Sequence, residues 1–80
     1  MKIKVYVLFK ESVLDPQGQT VKNALHTLGY DFVKEVRQGK VFEIEVDNIS
    51  EDEARKIAPE ISDRVLANPI IEKFTFEILK

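Results

Sequence analysis

Hydrophobic and polar side chains alternate from the start of the chain. Ile3, Val5, Val7 and Phe9 fall on one side of a period-two pattern over residues 2–10, with Lys4, Tyr6, Leu8 and Lys10 on the other, which predicts a strand. At Asp15 the period changes. Val21, Ala24, Leu25 and Leu28 recur at i, i+3, i+4 and i+7, the stripe of an amphipathic helix ending near Leu28. Asp15 is placed to cap it by accepting backbone N–H bonds from Gln17 or Gly18, and Pro16 takes the first helical position, where its missing N–H costs nothing. Gly18 lies toward the apolar side and would let another backbone approach closely. Gly29 reads as the left-handed stop, with Tyr30 packing back on Leu25.

A weaker strand is predicted at about 32–38, then a Gln38-Gly39 turn, then a clear strand at 40–47 carrying Phe42, Ile44 and Val46 on one face; the two form a hairpin. Ser50 with Glu53 makes a capping box, reinforced by Glu51 and Asp52 at the positive end of a second helix. Its buried stripe is Ala54, Ile57, Ala58, Ile61 and Val65, and the internal Pro59 predicts a kink. Asn68-Pro69 ends that helix before a last strand at about 71–79 with Phe74, Phe76 and Ile78 on one face. The order βαββαβ predicts a single α+β domain over residues 1–80. The expected fold is ferredoxin-like, a four-stranded antiparallel sheet with two helices on one face. Pairing of subunits would cover the other face, and a hinge at Asn68-Pro69 would let the C-terminal strand exchange between them.

Size sharpens the expectation of association. Eighty residues at 44% hydrophobic, with no cysteine to cross-link them, make one small core. Such a core rarely supplies more than ~3–5 kcal/mol. Tyr6 and Leu8, side by side on the less apolar face of the first strand, suit either edge packing under a loop or a sheet surface covered by another subunit. A formal charge of −2 with cations scattered among the acids excludes a phosphate-backbone binder. No apolar run is long enough to span a membrane, and residues 2–5 hold no signal-peptide core, so a cytoplasmic protein is expected.

Chemistry is sparse. His26 is the one histidine, about 140° from the centre of the apolar stripe and without partners at triad spacing, so it reads as a solvated helix residue. With no cysteine, a transition-metal site would need carboxylates alone. Glu43 and Glu45 share a strand face as a solvated or subunit-facing surface, and Gly18 lacks the companions of a phosphate loop. What remains is Lys10 beside a helix N-terminus, with Arg37 and Lys40 flanking the turn. Changing Arg37 or Lys40 to Glu is expected to spare folding and to weaken assembly with partners.

Three blocks carry a family resemblance. They are Leu14-Asp15-Pro16-Gln17-Gly18 with Ala24-Leu25 and Leu28-Gly29; Val36-Arg37-Gln38-Gly39-Lys40 leading into Glu43-Ile44; and Leu66-Ala67-Asn68-Pro69-Ile70-Ile71-Glu72. In that order and spacing they resemble PurS, the small subunit of multi-subunit phosphoribosylformylglycinamidine synthase. The resemblance implies a non-catalytic homodimer or tetramer. It would join a PurL-type synthetase, which binds ATP and Mg²⁺, to a PurQ-type glutaminase and help enclose ammonia. It also implies interface or structural roles for Asp15, Pro16, Gln17, Gly18, Arg37, Gly39, Lys40, Asn68 and Pro69, to which Lys10 is added from its position. An ACT-type regulatory module that binds a small molecule shares the element order and is the alternative; a single-strand RNA binder would need a stacking aromatic pair on a basic sheet face.

Overall fold

The computed structural model describes residues 1–80 and holds three strands. They are β1 (Lys2–Phe9), β2 (Gly39–Glu45) and β3 (Glu72–Leu79), arranged antiparallel in the order β2-β1-β3. The register runs from Lys2↔Glu45 to Leu8↔Gly39 on one side and from Lys2↔Leu79 to Phe9↔Glu72 on the other. β1 is therefore the central strand, and its inward residues Ile3, Val5 and Val7 are almost wholly buried. β3 pairs with β1 of its own chain along its whole length.

Helix α2 (Glu51–Ile61) covers that face. Ser50 Oγ accepts the Glu53 N–H at 3.1 Å, as the capping box predicts, and Glu51 reaches Arg55 and the terminal Lys80. Ala54 and Ala58 are buried against the β1 side chains; their small size lets the helix approach the sheet closely. Pro59 does not break the helix. The α-helix runs on to Ile61 and then widens into one π-helical turn, Ser62–Leu66, closed by the Ala67 N–H to the Ser62 carbonyl. The buried Ser62 hydroxyl donates to the Ala58 carbonyl at 2.7 Å, so no polar group is stranded there. Asn68-Pro69 then turns the chain. Asn68 Oδ1 accepts the Ile70 N–H, and the Glu72 side chain accepts the Asn68 N–H.

Two expectations fail, and they fail together. Residues 33–38 form no strand, so the sheet has three strands instead of four and the 32–38/40–47 hairpin does not exist. Gly39 is the first residue of β2, not the centre of a turn. Helix α1 (Pro16–Thr27) does not lie beside α2. It leaves and rejoins the sheet at the same end, where Leu8 pairs with Gly39, and packs on no strand to any comparable extent. The chain measures 50 × 27 × 14 Å with a radius of gyration of 16.0 Å, against about 12 Å for a compact domain of this length. α1 with its flanking segments is thus an arm, and the four-stranded, two-helix ferredoxin-like arrangement is absent from the single chain.

Candidate functional site: the junction of arm and sheet

Nearly every polar residue that the sequence singles out meets at the base of the arm. Asp15, only 9% exposed, uses both carboxylate oxygens. Oδ1 accepts the Gly18 N–H at 2.9 Å, capping α1 as predicted, and Oδ2 accepts the Gln38 N–H at 2.8 Å. The two backbone bonds, with the nearby Arg37 guanidinium, hold its pKa below the ordinary 3.8 in spite of desolvation. The second bond was not foreseen, because it spans 23 residues. At the end of the segment predicted as a strand, the Gln38 N–H is thus satisfied by a carboxylate instead of a neighbouring strand.

Gly18 is the one fully buried residue of α1. A Cβ there would collide with the Val36 carbonyl and with the Asp15 carboxylate. The predicted close approach is real, but its partner is the extended 33–38 segment, not the sheet. Gly39 is required in the same way, by the Val7 carbonyl and the Leu8 side chain. At the far end Gly29 adopts φ +95°. The Tyr30 N–H bonds the Leu25 carbonyl and the Gly29 N–H the His26 carbonyl, the left-handed stop expected.

Arg37 is a strut. Its Nη2 donates to the Phe9 carbonyl at 2.7 Å and to the Lys10 carbonyl at 3.0 Å, while Nη1 meets Glu35. Nε is buried without a partner, and the side chain is only 23% exposed. A glutamate there would leave two carbonyls without donors and oppose Glu35, so the expectation that Arg37→Glu spares folding is corrected. Lys40 and Lys10 are exposed and their ammonium groups free, whereas the Lys10 backbone is tied to Ile71 and Arg37. His26 is likewise corrected. It is half-buried, with Nε2 2.7 Å from the Val33 carbonyl, and so holds the returning segment against α1.

The inner side of α1 therefore carries Gly18, Lys22, Leu25 and His26, the more buried residues of the helix. The apolar stripe points elsewhere, rotated by about a quarter-turn at 100° per residue. Val21, Ala24 and Leu28 are exposed, Leu28 at 72%, and exposed Leu14, Tyr30 and Phe32 extend the apolar surface at the two ends of the arm. On the sheet, Tyr6 and Leu8 occupy the face away from α2. The Tyr6 hydroxyl donates to Glu77 at 2.6 Å, which raises its pKa above 10.0; Lys4 stands over its ring, Lys2 pairs with Glu43, and Leu8 covers Gly39. No group of three His, Asp or Glu side chains is placed to hold a metal ion, and no helix is long and apolar enough to cross a membrane.

The fold and the junction define a class: a small α+β protein in which Asp15, Gly18, Arg37 and His26 brace an arm against the sheet end and leave apolar side chains of that arm exposed. A profile of PurS, described as phosphoribosylformylglycinamidine (FGAM) synthase, matches residues 2–80. The PurS subunit of Bacillus subtilis is 43% identical over 77 residues, covering 96% of this chain and 90% of that one. The structure of B. subtilis PurS superposes with a TM-score of 0.85 at 42% identity, covering 99% of this chain and 98% of that one. A chain of PurLQS from Thermotoga maritima superposes at 0.86 with 28% identity over 98% and 95%. This chain belongs to the PurS family. It is a subunit of FGAM synthase, the glutamine-dependent ligase of purine biosynthesis.

Proposed function

We propose that the chain is the assembly subunit of this complex, joining a PurL-type synthetase to a PurQ-type glutaminase and shielding ammonia between them. The T. maritima structure is that of PurLQS, and a chain of it has the fold of this one. ATP and Mg²⁺ belong to the synthetase, and the complex works in the cytoplasm. The family match leaves the ACT-type alternative without support. A homodimer, or a tetramer built from it, is the working unit.

One observation carries the reading: the chain exposes more surface than it should. Its accessible area is 5926 Å², roughly a fifth above the ~4,900 Å² expected of a compact monomer of its mass. Asp15, Pro16, Gln17, Gly18, Arg37, Gly39, Asn68 and Pro69 serve this role by shaping the arm and its base, while Lys10 and Lys40 are left free for partner acids. Reconstitution tests it. The synthetase and glutaminase with glutamine should need this chain for FGAM formation, whereas the synthetase supplied with ammonium ion should not. Full glutamine-dependent activity without the chain would overturn the assignment.

A further inference from the structure

β1 has a strand on each side, but β3 ends the sheet with no strand beyond it. The Lys10 N–H bonds the Ile71 carbonyl at 2.8 Å, which continues the β1–β3 ladder and fixes its phase. Odd-numbered residues of β3 therefore turn their backbone groups toward β1, and Phe74, Phe76 and Ile78 turn theirs outward. The Glu72 N–H, on the same outward side, is taken by the Asn68 carbonyl. No proline, glycine or bulge blunts the strand between Glu72 and Leu79. Such an edge is a template for another strand.

Taken antiparallel to a second copy, β3 complements itself. With Thr75 opposite the partner's Thr75, Lys73 faces the partner's Glu77 and Glu77 faces the partner's Lys73, on the sheet face away from α2. On the α2 face, Phe74 meets the partner's Phe76 and Phe76 the partner's Phe74, and these are the residues that exchange backbone hydrogen bonds. Opposite charges and aromatic pairs directly across a ladder both stabilise it. The Tyr6 hydroxyl takes only Oε1 of Glu77, so Oε2 is left for a lysine. Phe74 and Phe76 are half-buried and packed on the core, so the pairing extends an apolar layer already begun. β2, the other edge, lacks this property. The two antiparallel registers that overlap it most set Glu43 against the partner's Glu43 or against the partner's Val41. We propose that β3 of one copy pairs antiparallel with β3 of a second, Thr75 opposite Thr75, joining the three strands of each into one continuous sheet. This deepens the homo-oligomer in the reading above. The bare stripe of α1 is a separate surface, so β3 pairing joins dimers into the tetramer.

A register predicts where a cross-link forms. Thr75, whose backbone groups point to β1, would stand at the two-fold axis as a close, non-hydrogen-bonded pair with α-carbons about 4.5 Å apart, within disulfide range. Its side chain is exposed and the chain has no cysteine, so Thr75→Cys should link two copies on air oxidation. Lys73→Cys should not, because it is displaced from its own mate by the distance from Lys73 to Glu77, about 13 Å along the strand. Sedimentation velocity of the full chain supplies a second readout. Lys73→Glu alone, or Glu77→Lys alone, sets like charges at both ends of the contact and should raise the Kd of this association about tenfold or more. An equimolar mixture of the two variants restores opposite charges at both ends and should recover the parent affinity. Circular dichroism checks that each variant is folded; if Glu77→Lys is not, the cross-link decides.

Failure of Thr75→Cys to link, equal linking by Lys73→Cys, or a mixture of folded variants no tighter than either alone would each overturn the proposal. So would an unchanged Kd in both charge variants. Any of these, with a complex that still needs the chain for glutamine-dependent synthesis, defeats β3 pairing alone. Linked copies that add nothing to that synthesis defeat the assembly role alone.

Discussion

The two helices of this chain are both amphipathic, yet they end in opposite situations. The stripe of α2 closes the core, with Ala54 and Ala58 buried against Ile3, Val5 and Val7, although Val65, predicted to end it, lies in the π-helical turn and is exposed. The stripe of α1 faces outward, and its inner side is held by hydrogen bonds to backbone, Asp15 to Gly18 and Gln38 and His26 to Val33. The difference lies in the connections. α2 leads through the Asn68-Pro69 turn into a strand that pairs beside β1, so its apolar side is drawn onto the sheet. α1 is flanked by segments tied to one another at its base, Gln38 to Asp15 and Arg37 to the Phe9 and Lys10 carbonyls, while His26 holds the returning Val33 beside the helix, and this bracing aims α1 past the sheet end. Apolar periodicity thus tells which side of a helix wants cover, and the connections tell whether its own chain supplies it.

The contrast breaks most sharply at the core. Ile3→Ala should cost about 2–5 kcal/mol in urea unfolding at every protein concentration, whereas a change in the α1 stripe should lower apparent stability only in a concentration-dependent way. A concentration-independent loss for Leu28→Ala equal to that of Ile3→Ala would erase the distinction.

At the arm's base, Gly18→Ala should lose about 1–3 kcal/mol, because the Val36 carbonyl is backbone and cannot swing aside. A melting temperature equal to the parent's would mean that the junction is looser than described. Arg37→Ala should cost about 1–3 kcal/mol by freeing the Phe9 and Lys10 carbonyls. Lys40→Ala should stay within about 0.5 kcal/mol, and thermal melts of the pair would show whether only the strut is structural.

The smallest effect is that of pH. Asp15 and Glu51 have pKa values below their ordinary 3.8 and 4.5, Asp15 through the Gly18 and Gln38 bonds and Glu51 through Lys80 and Arg55. A depressed carboxylate binds protons less readily in the folded state. Each therefore contributes stability that is complete above its ordinary value and fades as pH falls through the folded one. Acid titration of Asp15→Asn should show a shallower loss than the parent; identical profiles would remove Asp15 from the account.

Much of this was legible locally. The Asp15 cap, Pro16, the Gly29 stop, the Ser50 box and the alternation of β1, β2 and β3 rest on contacts within a few residues, and the structure keeps all of them. Residues 32–38 misled, because their pattern suits a strand while the partner that claims the Gln38 N–H lies far back in the sequence. Arg37 and His26 misled for the same reason. Their acceptors are backbone carbonyls, which no side-chain pattern reveals.

Sequence alone therefore determined the three strands and two helices that form, their caps, the close approach at Gly18 and the family, since these depend on residue type, short spacing and matched motifs. Only the tertiary structure decided that α1 stands off as an arm, that the sheet stops at three strands and that one apolar stripe is left bare. Those outcomes depend on which distant backbone groups satisfy one another, and hydrophobic periodicity is blind to that choice.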